Sequence, residues 1–438
     1  MKKTMTMGAM AIALLTAVGC SETETDLIID SGDGDQVALG ITPNLKVDAG
    51  TKAATKSVVS GEALTYDISK YGEADYAPGL GVLITNKNAN GWYTPDGTEY
   101  TGHHVWYMGT DKGAGWISIK EKKNTFADTK EVPYYLTKEV GMVYAYYPYD
   151  ASITTSLSSI SAESDLKIPV TILASGTIDA ATNNAKKYWK DGAWATTPKT
   201  DLLNLSLATE KDYLYFAAEN GRYVNNGRTA GQTPVKPEDE PKNTDDVNPG
   251  YKINLDMKHA MAMVTFRVYD GGKLSVNDVN FTKFQIKNTD SSTDKFFKMG
   301  TAYMSLVDGT ITPNSLTDGD ISRTITNYTL MRQVESGETE SAQSFVANGN
   351  TVNAKIVSKS VSAIVYPTAA FGDDDIQVII TLKEGSNADM VFPVTLPANE
   401  WQANNNYIYT LSAGRNKLTV MDVTVEAWND NEQDEIPL

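Results

Sequence analysis

The chain has 438 residues, enough for two domains of ordinary size, and 55 acidic against 38 basic residues give it a net charge of −17. That sign argues against a nucleic-acid partner, because phosphate binding needs positive charge, and it suits a soluble protein exposed outside the cell. A single cysteine excludes a disulfide framework, and 23 tyrosines and 33 glycines beside few helical patterns point to strands joined by turns.

In chain order, Met1-Lys2-Lys3 precedes an apolar run from Met5 to Val18 and then Gly19-Cys20. A charged start, a short apolar stretch and a small-residue cut site form a secretory signal over residues 1–19. The run is too short to cross a bilayer, which needs roughly 20 residues. With cysteine directly after the cut, the segment resembles the bacterial lipoprotein signal, which implies a diacylglycerol on the Cys20 thiol. Ala17 stands where the common pattern has Leu.

Residues 21–35 are polar and acidic and read as a tether. An EF-hand loop is excluded there, because Gly32 and Gly34 fall where ligands are needed and no Glu closes the loop. In Gln36 to Thr42, Val37, Leu39 and Ile41 alternate with small or polar residues, which predicts one short strand with one buried face. The polar stretch from Asn44 to Lys56, with Lys52 and Lys56, reads as an exposed loop.

Strand-like runs then recur: Leu80–Thr85, Trp116–Ile119, Val143–Tyr149 stopped by Pro148, and Asp212–Ala217. Between Gly231 and Gly250, four prolines among acidic residues predict a linker or long loop. Beyond it come Tyr251–Leu255, His259–Val268, Ser362–Tyr366, Ile376–Leu382, Tyr407–Leu411 and Lys417–Ala427. Many short strands with turn signals argue for an all-β chain of two β-sandwiches, one on each side of the linker. The domain plan is a tether and first strand over 20–56, a first sandwich over 57–245 that ends in the linker, and a second over 246–438.

Catalytic signatures are missing. No nucleophile elbow, Walker loop or zinc-protease helix occurs, and no acid–base pair stands out among the carboxylates. The three histidines are His103, His104 and His259. In an extended segment His103 and His104 point to opposite sides, a poor arrangement for a metal. Asp373-Asp374-Asp375 reads as a solvated turn, with a calcium site as its alternative. Trp92, Tyr93, Trp106, Tyr107 and Trp116 could stack on sugar rings or fill a core, and core packing is the simpler reading. The chain is therefore expected to be no enzyme, with no cofactor and no metal.

Val143-Tyr-Ala-Tyr-Tyr-Pro-Tyr149, Asp212-Tyr-Leu-Tyr215, His259-Ala-Met-Ala-Met-Val-Thr-Phe266 and Trp401…Tyr407-Ile-Tyr409…Val423-Thr-Val-Glu-Ala-Trp428, with the leader, resemble the fimbrillin family of type V pilus subunits. The resemblance implies two transthyretin-like β-sandwich domains in tandem and travel to the outer membrane as a lipoprotein. It also implies a proteolytic cut beyond the first strand and filling of the opened groove by another subunit's strand. The family usually has arginine at the cut; here Lys56 and Lys52 stand in that loop. An uncut subunit would serve as an anchor at the base of the pilus.

On this reading the removable strand carries Val37, Leu39 and Ile41. Leu418–Ala427 is the candidate donor strand, with Met421, Val423 and Val425 on one face. The alternative is that this strand completes its own C-terminal sandwich. The expected function is a structural subunit of a type V fimbria on the cell surface, serving adhesion or biofilm formation. Its expected partners are other pilus subunits, outer-membrane lipid through Cys20, and a host glycan or protein receptor. The competing readings are a monomeric glycan-binding lipoprotein that feeds a nutrient importer and a pilus-tip adhesin. Trp92 and Trp106 would be exposed in the glycan-binding reading and buried in the structural one.

Overall fold

A computed structural model describes residues 36–45, 79–97, 100, 102–109, 116–120, 131–180, 189–190, 193–194, 204–207, 210–227, 249–271, 274, 278–289, 299–317, 319–332, 343–347, 350–354 and 360–428. The chain is all-β. The strands of the first half are β1 (Val37–Ala38), β2 (Gly40–Leu45), β3 (Leu80–Asn86), β4 (His104–Gly109), β5 (Trp116–Ile119), β6 (Tyr135–Leu136) and β7 (Gly141–Tyr147). After a four-residue helix, α1 (Ile153–Ser156), come β8 (Lys167–Thr171), β9 (Ser175–Asp179), β10 (Trp189–Lys190), β11 (Ala193–Trp194), β12 (Asn204–Leu205), β13 (Leu214–Phe216) and β14 (Tyr223–Val224).

The second half begins with β15 (Lys252–His259), β16 (Ala262–Asp270), β17 (Val279–Asn288), β18 (Met299–Ser305), β19 (Ile311–Thr317), β20 (Ile321–Thr326) and β21 (Met331–Arg332). It closes with β22 (Gln343–Ala347), β23 (Asn350–Ala354), β24 (Ser360–Val365), β25 (Ile376–Glu384), β26 (Met390–Thr395), β27 (Asn405–Ala413) and β28 (Leu418–Ala427).

One sheet runs β2-β15-β13-β7-β3-β4-β5. Its interior strands β3 and β7 are buried along nearly their whole length, so both of their faces are covered. Alternation splits the two faces: Leu80, Val82, Ile84, Val143 and Ala145 join one apolar cluster, and Leu83, Met142, Tyr144 and Tyr146 join another. The second cluster also takes Ile168 and Val170 of β8 and Ala302 and Met304 of β18, from the small sheet β19-β18-β8.

Two further sheets, β12-β24-β16-β27-β28 and β26-β25-β17-β20-β9, share a third cluster that contains Phe266, Phe284, Val361, Ile380, Trp401 and Tyr409. The chain passes from the first sheet to this sandwich between β15 and β16, through the fully buried Ala260 and Met261. Segments that precede the linker also enter it: β9 pairs parallel with β20, and β12 pairs parallel with β24. Residues 231–248 of the linker lie outside the described residues.

Candidate functional site

The segment predicted as one strand is two. Val37 and Ala38 pair antiparallel with β6, and Gly40–Leu45 pair parallel with β15, Gly40 opposite Lys252 and Ile41 opposite Ile253. The break falls at Leu39, where the chain passes from the β6 side to β15. The Leu39 N–H donates to the Tyr134 carbonyl at 2.9 Å, and its carbonyl accepts the Tyr107 hydroxyl at 2.8 Å. One residue on, the Gly40 N–H donates to the Tyr251 carbonyl at 2.9 Å. The segment is thus gripped from both sides at one dipeptide. Burial pushes the Tyr107 hydroxyl well above the usual phenol range, so it remains a donor.

Leu39 and Ile41 are 4% and 7% exposed and belong to the cluster of Val82, Ile253 and Leu255. Val37 is half-buried. Burying two such side chains contributes on the order of 3–6 kcal/mol in total. β2 is nevertheless the outermost strand of its sheet. Since the Gly40 N–H points toward β15, alternation turns the backbone of residues 41 and 43 outward. Position 43 is proline, which has no N–H to offer a further strand.

β28 is likewise outermost in its sheet and pairs along its length with β27. The shared face expected for Met421, Val423 and Val425 holds for the two valines, which lie opposite Tyr409 and Tyr407, and not for Met421. The pairing steps from Thr410–Asp422 to Leu411–Val420, leaving Met421 as the extra residue of a bulge. As a result Val420 and Val423, three residues apart, both pack against the third cluster; Val425, nearer the end of the strand, is 38% exposed.

The end of β28 is fixed by contacts that sequence reasoning missed. Trp428 is buried, donates its N–H to the Asn404 carbonyl at 3.0 Å, and stacks on His259. His259 in turn holds the Asp212 carboxylate through Nδ1 at 2.9 Å. A second missed feature is Arg323, fully buried in β20 and ion-paired with Glu210. The signal for it was present: Ile321, Arg323 and Ile325 occupy the same alternating face.

Cys20, Lys52, Lys56 and the signal segment lie outside the described residues. The opposite-sides geometry expected for His103 and His104 does not appear, because His103 sits in a bend before β4 and both rings reach the turn at α1. His103 stacks on Trp92, with ring centroids 3.8 Å apart, and its Nε2 meets the Leu157 carbonyl at 3.1 Å. His104 is held by Thr154 and Tyr146, and burial lowers its pKa to about 4.

Tyr93, Trp106 and Tyr107 are buried, and Trp92 and Trp116 are half-buried, so this aromatic group offers no open stacking platform. In the Asp373–Asp375 turn, two carboxylates are taken by backbone donors, Asp373 by the Ala398 N–H at 2.7 Å and Asp375 by the Gly372 N–H at 2.6 Å. Among the described residues, no group of three His, Cys, Asp or Glu side chains could hold a metal ion.

No curated protein matches the chain. Among solved structures, it is similar to a candidate cell adhesion protein from Bacteroides uniformis, at 14% identity and a TM-score of 0.45 over 90% of this chain and 100% of that one. It is similar to another from Bacteroides ovatus, at 11% identity and a TM-score of 0.42 over 90% and 98%. Similarity to the tip fimbrial protein Mfa3 from Porphyromonas gingivalis, truncated at its C-terminus, is 10% identity and a TM-score of 0.30 over 80% and 94%. Residues 239–428 match the family model described as fimbrillin-like.

Proposed function

We propose that the chain is a structural subunit of a surface fimbria, assembled by strand exchange. The fimbrillin-like match over residues 239–428 supports a fimbrial or adhesive role. The observation that carries the finer reading is the placement of β1 and β2. β2 forms an outer edge of its sheet and β1 pairs only with the short β6, yet Leu39 and Ile41 plug the core of the first sheet. A cut after Lys52 or Lys56 would free this segment from the body. Its loss would leave an apolar groove beside the unpaired edge of β15, a template for an incoming strand. Cys20 would carry the lipid that holds the precursor at the outer membrane, and the two sandwiches would travel as one subunit.

The test is the Lys52→Ala, Lys56→Ala double variant, expressed in a cell that assembles the wild-type polymer. The variant should remain full length and should not polymerise. Polymers built from uncut variant chains would overturn the scheme.

A further inference from the structure

We propose that the groove beneath β1 and β2 selects its incoming strand through a glycine slot at position 40, and that it takes a strand from a different protein in preference to the C-terminal strand of a second copy. This rests on the reading that β1 and β2 leave.

The slot follows from the register. Leu39 and Ile41 point into the apolar cluster, so Gly40 between them points to the other face of the sheet, level with Lys252. A Cβ placed on Gly40 would stand 3.0 Å from Lys252 Cγ and 3.8 Å from both Lys252 Cβ and Cδ. The lysine stem therefore lies across the strand where any other residue carries its first side-chain atom. Glycine within a strand commonly marks such a close approach. A small displacement of the stem would admit alanine, but a β-branched residue would force the stem off the sheet.

The backbone adds a second requirement. Residues 39 and 40 donate in opposite directions, to the carbonyls of Tyr134 and Tyr251, and residue 39 also accepts from the Tyr107 hydroxyl. Tyr134 is buried and Tyr251 half-buried, so an incoming strand without an N–H at the first position leaves the buried Tyr134 carbonyl without its donor, and one without an N–H at the second loses the bond to Tyr251. The groove thus asks for an extended peptide parallel to β15, with an apolar residue, then glycine, then an apolar residue, and no proline at the first two.

The chain's own C-terminal strand does not meet this requirement. Leu418–Ala427 contains no glycine, and its apolar–x–apolar triplets Leu418-Thr419-Val420, Met421-Asp422-Val423, Val423-Thr424-Val425 and Val425-Glu426-Ala427 put threonine, aspartate or glutamate in the slot. Beyond the strand, Ile436-Pro437-Leu438 puts proline there, which adds a ring and removes the N–H given to Tyr251.

The experiment uses the full chain with a site for a sequence-specific protease placed between residues 46 and 56. The chain is cut, the first strand is released, and binding of fluorescent synthetic peptides is measured. The peptide with the sequence of residues 36–45 should bind the cut chain and not the uncut one. Its Gly40→Val version should bind about tenfold more weakly or worse. A peptide of residues 418–427 should not compete. In a cut chain that carries Lys252→Ala, the Gly40→Val peptide should regain most of its loss, which assigns the effect to that contact.

Equal binding of the wild-type and Gly40→Val peptides, or full competition by residues 418–427, would overturn the slot and leave the removable strand standing. Failure of the 36–45 peptide to bind a cut, folded chain would overturn both.

Discussion

The Trp428 indole lies flat on the His259 imidazole, with ring centroids 4.1 Å apart and planes 4° from parallel. This contact ties the residue that follows β28 to the point where the chain passes from its first sheet into the sandwich around the third cluster. His259 is pinned on its other side by Asp212, so three segments far apart in sequence meet at one buried joint.

Trp428→Ala should therefore destabilise the whole chain, by about 3–5 kcal/mol as is usual for a buried tryptophan. Trp428→Phe, which keeps a ring over His259, should recover part of that loss. Denaturant melts of the three proteins check this; an unchanged midpoint for Trp428→Ala would show that the stack carries no weight.

The two valines expected to act together on β28 should separate. Val423 packs against the core and Val425 is partly exposed, so Val423→Asp should lower stability by about 2–5 kcal/mol and Val425→Asp by under about 1 kcal/mol. Thermal melts distinguish them, and equal large losses would mean that Val425 is covered in solution.

The buried pair in the sandwich around the third cluster joins its two sheets. Arg323 of β20 reaches Glu210 and the Leu173 carbonyl, while the same glutamate oxygen accepts the Ile364 N–H of β24 at 3.1 Å. Glu210→Ala should cost about 3–5 kcal/mol, because it strands a buried guanidinium. Arg323→Met combined with Glu210→Leu should cost far less, since neither charge then remains. A double variant as unstable as the single one would contradict this.

His104 sets the direction of acid sensitivity. Burial, with His103 nearby, lowers its pKa from 6.5 to about 4 in the folded chain. Between those values the unfolded state binds the proton and the folded state does not, so stability falls as pH drops from about 6.5 toward about 4. The His104 contribution is intact above pH 6.5. Melts at pH 7 and pH 5 should show a loss that His104→Gln reduces, whereas an identical loss in the variant would place the sensitivity elsewhere.

Much of this architecture was legible because half-covered strands alternate. Leu39 and Ile41 announced a buried face, and Ile376–Leu382 and Lys417–Ala427 reappear almost unchanged as β25 and β28. What alternation cannot supply is the partner. Nothing in Gln36–Thr42 says that it runs parallel to β15, or that Leu39 turns its backbone from one ladder to another, because both depend on Tyr107, Tyr134 and Tyr251. The bulge at Met421 was equally hidden: one unpaired residue reverses every later side chain, and its cause lies in the pairing with β27. Trp428 read as the end of a motif, while its role depends on His259, which read as the start of another strand and as one of three histidines.

The central claim is that assembled subunits have lost their first strand. Peptide mapping of the purified surface polymer by mass spectrometry tests it most directly. The account predicts subunits that begin at Ala53 or Ser57, with no peptide from Gln36–Leu45 in the polymer. Polymers whose subunits all retain Val37, Leu39 and Ile41 would contradict it.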